Sequence, residues 1–492
     1  MRTTHIYRTL RAARIPLLLV LFFLFHGYAE QYPLLPPNEL FPTLLRYATS
    51  VILICFVLQA WFKQENKTSL FTFLLLSIQF FFGAVSDLLK SIPAISFVAS
   101  YRIILPLILL TLIAAALWIR RSKRSLHRVV IYLGILLLIL ITTDAVMLLF
   151  KKRERTNTDQ TALLRDCPEC PKPDIFIIVA DGYAGREELE DLFAYDNRPF
   201  ENELRKRGFR VVDSSRSNYP FTIYSLSSFL NLGLHENITG QYGHKKDLAI
   251  CREAFRNAGF IHYLKRQGYE VYNYSVFPIG GEAPRGRTSV IPVEADRITG
   301  QTLTSRLLRD LGYHLITTVR IPFLLRKAIY TDDRNNNTYI DAVREQAARS
   351  GGPPRLVYTH IMMPHYPYYR DSLGNELPMQ KLTPGSHQDK SLYLSYLKYA
   401  NRRYLALIDH IRRSSSGRAV IFFLSDHGFR EFGSPVEDRY LFMNIQAIHA
   451  PGIDSGTWYK GLTPVNTIRL FLNRQFKQQL PLLPDTTLPV RE

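Results

Sequence analysis

Cysteine is scarce in this chain, with four residues among 492, at positions 55, 167, 170 and 251. Cys55 falls inside an apolar stretch and Cys251 stands alone, which excludes the dense crosslinking that holds small secreted domains. Cys167 and Cys170 form a CPEC pair without two further ligands nearby, which argues against a zinc site there. A local disulfide between them stays open, and its loop is too small to stabilise much. Acidic residues are also few, 42 against 61 Lys and Arg, for a formal charge of +19. The excess is spread out, with 14 basic against 5 acidic residues up to position 150 and 47 against 37 beyond it. Evenly spread positive charge suits loops facing anionic lipid headgroups, or anionic substrates, so no nucleic-acid partner is expected. Internal repeats are absent, and the first apolar run has no small-residue cleavage site of the signal-peptide kind.

Apolar sequence, by contrast, is plentiful at 47% of the chain and concentrated before residue 150. That argues against disorder and against an all-soluble chain. Five stretches, at about 13–29, 42–62, 68–88, 101–119 and 128–150, each approach the roughly 20 residues a helix needs to cross the hydrocarbon core. Basic residues at the start (Arg2, Arg8, Arg11, Arg14), in the turn Lys63 to Lys67, and in the cluster Arg120, Arg121, Lys123, Arg124, Arg128 assign those loops to the cytoplasmic side. The opposite loops carry only Arg46, Lys90 and Arg102. An odd number of spans then places residues beyond 150 outside the cytoplasmic membrane, against the pull of Lys151, Lys152, Arg153 and Arg155. Residues 1–150 are thus expected to be a multi-pass anchor in the lipid bilayer. Asp87 and Asp144 sit near span ends without an evident Glu, His or Lys companion, which favours a bland role.

Residues 151–173 read as a polar linker, and 174–492 as one α/β domain. The runs at 174–180 (DIFIIVA), 356–362 (LVYTHIM) and 419–425 (AVIFFLS) are short, β-branched and unalternating, as in strands buried on both faces of a parallel sheet. Helical patterns at 197–207, 252–267 and 389–411 alternate with them, each of the first two closed by glycine (Gly208, Gly268). The alternation predicts a doubly wound, mostly parallel sheet. The region at about 276–336 reads as loop.

Open α/β sheets bind ligands beyond the carboxyl ends of their strands. The first run leads into Asp181-Gly182-Tyr183, the last into Ser425-Asp426-His427-Gly428, and the middle one through His360 to His365-Tyr-Pro. Each is weak alone, since Asp often caps a helix and a lone His is often a satisfied polar residue. Two carboxylates and an imidazole delivered to one sheet edge make a site for a divalent metal ion. Zinc, manganese and calcium stay open. Thr222, at a loop-to-helix junction, is the candidate nucleophile, because a helix N-terminus and a metal both lower a hydroxyl's pKa. The bland alternative is that Thr222 or Ser217 merely caps that helix.

DIFIIVADGY, NYPFTIYSLSSFLN, THIMMPHYPY, FFLSDHGFR, LFMNIQAIHAPG and TPVNTIRLFLN, taken in order over about 174–475, resemble the landmarks of the membrane-anchored, sulfatase-like branch of the alkaline phosphatase superfamily. The layout is similar to that of lipoteichoic acid synthases and lipid A phosphoethanolamine transferases, with five membrane helices before an extracytoplasmic catalytic domain. The resemblance implies a metal held by Asp181, Thr222, Asp426 and His427, with Thr222 as nucleophile and His365 contacting the substrate's anionic group. His360 has no equally clear counterpart. The Cys-x-Pro-Ser-Arg type motif that sulfatases mature to formylglycine is missing, which disfavours sulfuric-ester hydrolysis. The resemblance therefore implies a metal-dependent phospho-ester transferase or hydrolase acting on a lipid-linked or envelope-glycan anionic substrate. The alternatives are a sulfuric-ester hydrolase and a non-catalytic, membrane-tethered binding module on a degenerate fold. A transporter is disfavoured, since the spans lack paired broken segments.

Overall fold

The computed structural model describes residues 2–32, 35, 37, 40–150, 164–285, 296–310, 330–382 and 384–491. The chain divides into two compact units, one formed by the N-terminal helices together with residues 296–310, the other by the remainder.

In the first unit, helices α1 (Arg2–Gln31), α2 (Leu40–Phe62), α3 (Glu65–Ser91), α4 (Tyr101–Arg121) and α5 (His127–Phe150) are all long and apolar enough to cross a membrane. Leu19, Val20, Phe23, Val51, Cys55, Phe80 and Leu137 form the core of the bundle, with Phe23 stacked on Phe80 at 4.3 Å between ring centroids. Leu109 and Leu110 on α4, and Leu138 and Ile139 on α5, are exposed, as suits surfaces whose solvent is lipid. Asp144 does have a companion, contrary to the sequence reading: His26 Nδ1 lies 3.1 Å from Asp144 Oδ2. The partner comes from α1, 118 residues away, beyond the reach of a pattern read along one helix. Asp87 likewise meets Arg306 at 2.5 Å, in the helix Leu303–Asp310.

The second unit holds six strands: β1 (Ile175–Ala180), β2 (Arg210–Val211), β3 (Glu270–Tyr274), β4 (Arg355–Ile361), β5 (Val420–Leu424) and β6 (Gln446–His449). Their order is β2-β6-β5-β1-β4-β3. Strands β5, β1, β4 and β3 run parallel, and β6 and β2 add an antiparallel edge. This is the mixed, mostly parallel sheet expected of the alternating pattern. Alternate residues of β1 enter opposite cores, because strand side chains alternate faces. Phe176, Ile178 and Ala180 pack in one core, Ile175, Ile177 and Val179 in the other. Tyr393, Tyr396, Tyr404 and Leu407 of helix Lys390–Ser414 cover the first face. Leu226 and Phe229 of helix Thr222–Leu230, with Ile468 and Phe471 of helix Pro464–Gln475, cover the second. The long helix starts at Asp389, whose side chain accepts from the Ser391 and Leu392 N–H groups.

Two local expectations are corrected. The pattern at 252–267 is two helices, Lys245–Arg256 and Gly259–Arg266. Ala258 breaks the helical backbone (φ −44°, ψ 99°), and the Gly259 N–H turns to Asn231 Oδ1 at 3.3 Å. The described part of 276–336 is not all loop, since helices occupy Asp296–Thr299, Leu303–Asp310 and Thr331–Ala348. The Asn-rich start of the last one is carried by Asp332 and Asp333 in its first turn, where the helix dipole favours carboxylates. Tyr339, Ile340 and Val343 then bury its inner face. Cys167 and Cys170 form a disulfide.

Candidate active site

Strand β1 is central, flanked by β4 and β5, so the residues just past these three strands emerge side by side. Asp181 follows β1, Asp426 and His427 follow β5, and His360 ends β4 with His365 a short loop beyond. Gly182 takes φ +65°, a left-handed backbone that favours glycine. Its N–H donates to Asp426 Oδ1 at 3.1 Å, tying the β1 and β5 turns together. The Tyr183 N–H donates to Ser425 Oγ at 2.9 Å.

Asp181, Asp426 and His427 are at most 2% exposed, and each offers one ligand atom within 4.8 Å of the others. His427 Nε2 lies 3.2 Å from Asp426 Oδ2 and 3.9 Å from Asp181 Oδ1. His427 Nδ1 is 2.6 Å from the Gly428 carbonyl, which makes Nδ1 the protonated nitrogen and turns the Nε2 lone pair inward. Asp181 Oδ1 and Asp426 Oδ2 have no hydrogen-bond partner. Two buried carboxylate oxygens without donors, facing a nitrogen lone pair, form a strongly electronegative pocket whose natural complement is a cation. A tetrahedron of donors about 2.1 Å from zinc has edges of about 3.4 Å, comparable with these separations. The residues present fit a divalent metal.

Thr222 opens helix Thr222–Leu230, with Phe221 as its N-cap residue. Thr222 Oγ1 lies 3.2 Å from His427 Nε2, so the hydroxyl reaches the imidazole of this cluster despite 205 residues of separation. The Tyr224 and Ser225 N–H groups donate to the Phe221 carbonyl, leaving the Thr222 and Ile223 N–H groups at the positive end of the helix. His365 Nε2 stands 4.0 Å from Asp181 Oδ1. With Gly182, His427 and Arg430 it lines an open cleft.

Burial by itself would raise the Asp181 pKa, but the charge of His365, then the close approach of His360, hold its carboxyl below the usual range. Burial opposes charge on His360, yet the Asp181 carboxylate beside it raises the imidazole above its ordinary value. His427 is lowered, first by burial, in keeping with a neutral ring and a free lone pair.

Two supporting residues had no role assigned from sequence, His360 being named there without one and Glu188 not at all. His360 is 1% exposed, and its Nε2 meets Asp181 Oδ2 at 2.9 Å. Glu188, fully buried, accepts from the Phe429 N–H at 3.2 Å and braces the turn after His427. Its only mark in the sequence was a carboxylate one helical turn past Gly185, which is common at helix starts.

No protein-family model and no curated protein matches the chain. Solved structures do. The C-terminal periplasmic domain of EcEptC from Escherichia coli is 12% identical, over 63% of this chain and 84% of that one, with a TM-score of 0.39. The integral membrane protein lipooligosaccharide phosphoethanolamine transferase A (EptA) from Neisseria meningitidis is 12% identical over 96% and 95% of the two chains, TM-score 0.39. BT1596, a 2-O GAG sulfatase, is 10% identical over 65% and 73%, TM-score 0.39. Likenesses this distant leave the chemistry to be read from the site itself.

Proposed function

We propose that this chain is a membrane-bound, metal-dependent enzyme of sulfatase-like type, a phospho-ester transferase or hydrolase with Thr222 as nucleophile. Its substrate is an anionic lipid-linked or envelope-glycan ester at the outer face of the cytoplasmic membrane. The observation that supports it most is the Thr222 hydroxyl, at the positive end of a helix, meeting a buried cluster with two donorless carboxylate oxygens. The sidedness rests on the basic loops of the helical unit.

Asp181, Asp426, His427 and Thr222 would hold the metal, which when bound supplies a Lewis acid that lowers the hydroxyl's pKa and offsets charge at the reacting centre. The chain's own residues supply the rest. Thr222 loses its proton to water, and an Oγ lone pair forms the new bond to phosphorus while the bond to the leaving oxygen breaks. The Thr222 and Ile223 N–H groups favour the negative charge gathering on the non-bridging oxygens. His365, at the cleft, gives the leaving oxygen a proton. Water or an acceptor hydroxyl then attacks phosphorus, and Thr222 is released. Threonine at this position cannot give formylglycine, so sulfuric-ester hydrolysis by that route is disfavoured.

The test is Thr222→Ala in the full-length protein in detergent, loaded with zinc or manganese and assayed with chromogenic phosphate mono- and diesters. The expected outcome is retained folding with loss of turnover and of any phosphothreonine detected by mass spectrometry. Full activity in that variant would remove the mechanism. Absence of stoichiometric metal in the native protein would favour a binding module instead.

A further inference from the structure

Past the Asp426–His427 pair the chain continues Gly428-Phe429-Arg430. Phe429 is 3% exposed and packs edge-on against Phe193 at 5.2 Å and tilted on Tyr393 at 4.6 Å. This pins the turn and leaves Arg430 lining the cleft with His365 and His427. The Arg430 guanidinium carbon sits 4.5 Å over the ring of Phe221, the residue immediately before Thr222. Phe221 is itself stacked on Tyr242 at 4.1 Å. Arg186, Arg207 and Arg370 in the same unit each close on a carboxylate. Arg430 makes no such pair among the described residues, and its buried Nε has no hydrogen-bond partner. The neighbouring Glu431 turns to His387 instead, at 3.9 Å. A permanent cation thus stands beside the site without a directly paired carboxylate among the described residues. The Phe221 ring holds the guanidinium in place at the edge of the cleft.

We propose that Arg430 is the anion-binding arm of this site, gripping a non-bridging oxygen of the ester group that Thr222 attacks, with Phe221 as the residue that positions it. The proposal rests on the reading of Thr222 as nucleophile. A planar guanidinium suits a tetrahedral oxyanion because two parallel N–H donors match two oxygens. The ligand chemistry is a phosphate or phosphodiester group, whether free or on a lipid.

The test is equilibrium binding of inorganic phosphate and of dimethyl phosphate to the full-length, metal-loaded protein in detergent, by calorimetry. Arg430→Gln is expected to weaken both about 10- to 100-fold, the range for a charged hydrogen bond. Arg430→Lys should recover part of the loss, and Phe221→Leu should show a smaller one. Metal affinity should stay unchanged in all three, and melting temperature in the two Arg430 variants. Unaltered affinity for both anions in Arg430→Gln, or loss of metal along with loss of anion, would overturn the proposal. Phosphate binding needs no turnover, so it can fail while the Thr222 experiment succeeds, and the reverse.

Discussion

His360 Nε2 stands 2.9 Å from Asp181 Oδ2, while Asp181 Oδ1 is left without a donor. One oxygen of the carboxylate therefore has a buried imidazole close behind it, and the other is free to bind. A buried partner of this kind orients a ligand and tunes its basicity, and its removal typically costs 10- to 100-fold in metal affinity. His360→Ala is expected to weaken zinc binding by about that factor, measured by chelator competition. His360→Gln, which can place an amide N–H beside the carboxylate, should restore most of it. Equal affinity in wild type and His360→Ala would show that the contact only fills space.

Asp426 offers a second readout of the same electrostatics. Its Oδ1 accepts from the Gly182 N–H, whereas Oδ2 is buried and unpaired, and carboxylate oxygens of Asp426 and Asp181 approach within 4.8 Å. Without a cation, two neighbouring buried carboxylates destabilise the fold. Chelation of the wild type should lower its melting temperature. Saturation at a hundred times the Kd is worth about 2.7 kcal/mol. Asp426→Asn keeps the Oδ1 acceptor and removes a charge, so the metal-free variant should melt above the metal-free wild type and gain nothing from added metal. The check is thermal unfolding in detergent with and without chelator; a drop on substitution in the chelated state would contradict the account.

How far these features can be read in the chain depends on the range of the interaction that makes them. Buried strands such as DIFIIVA, and the polar residues just past them, are local patterns, and β1, β4 and β5 lie within a residue or so of the runs that announced them. The spans are legible for the same reason, since crossing a bilayer demands an unbroken apolar length. Contacts between segments far apart were not legible. His26 with Asp144, and His360 with Asp181, join residues whose meeting depends on helix packing or strand order. The break at Ala258 depends on Asn231, 28 residues before Gly259, taking the Gly259 N–H. The Thr331–Ala348 helix was hidden by an Asn-rich start, where weak propensity is overridden by tertiary burial of Tyr339 and Ile340.

Behind the helix that carries Thr222 lies His235, 7% exposed. Its Nε2 is 2.8 Å from Ser227 Oγ and 3.1 Å from the Tyr224 carbonyl, and its Nδ1 has no partner. Nε2 thus carries the hydrogen, and a second proton on Nδ1 would find no acceptor. Burial accordingly lowers the imidazole from 6.5 to about 4. Above pH 6.5 folded and unfolded chains are both neutral at this residue, and it contributes no pH dependence. Below that, the unfolded chain binds a proton that the folded one refuses, so stability falls between pH 6.5 and 4, by about 3 kcal/mol in all. His235→Gln keeps a donor for the Tyr224 carbonyl and removes the titration. Its melting temperature should therefore decline less than that of the wild type from about pH 7 to about pH 4.5, with the two curves converging above about pH 7 apart from a constant offset. Parallel curves over the whole range would mean that His235 charges freely in the fold and that the helix start beneath Thr222 is wetter than its packing indicates.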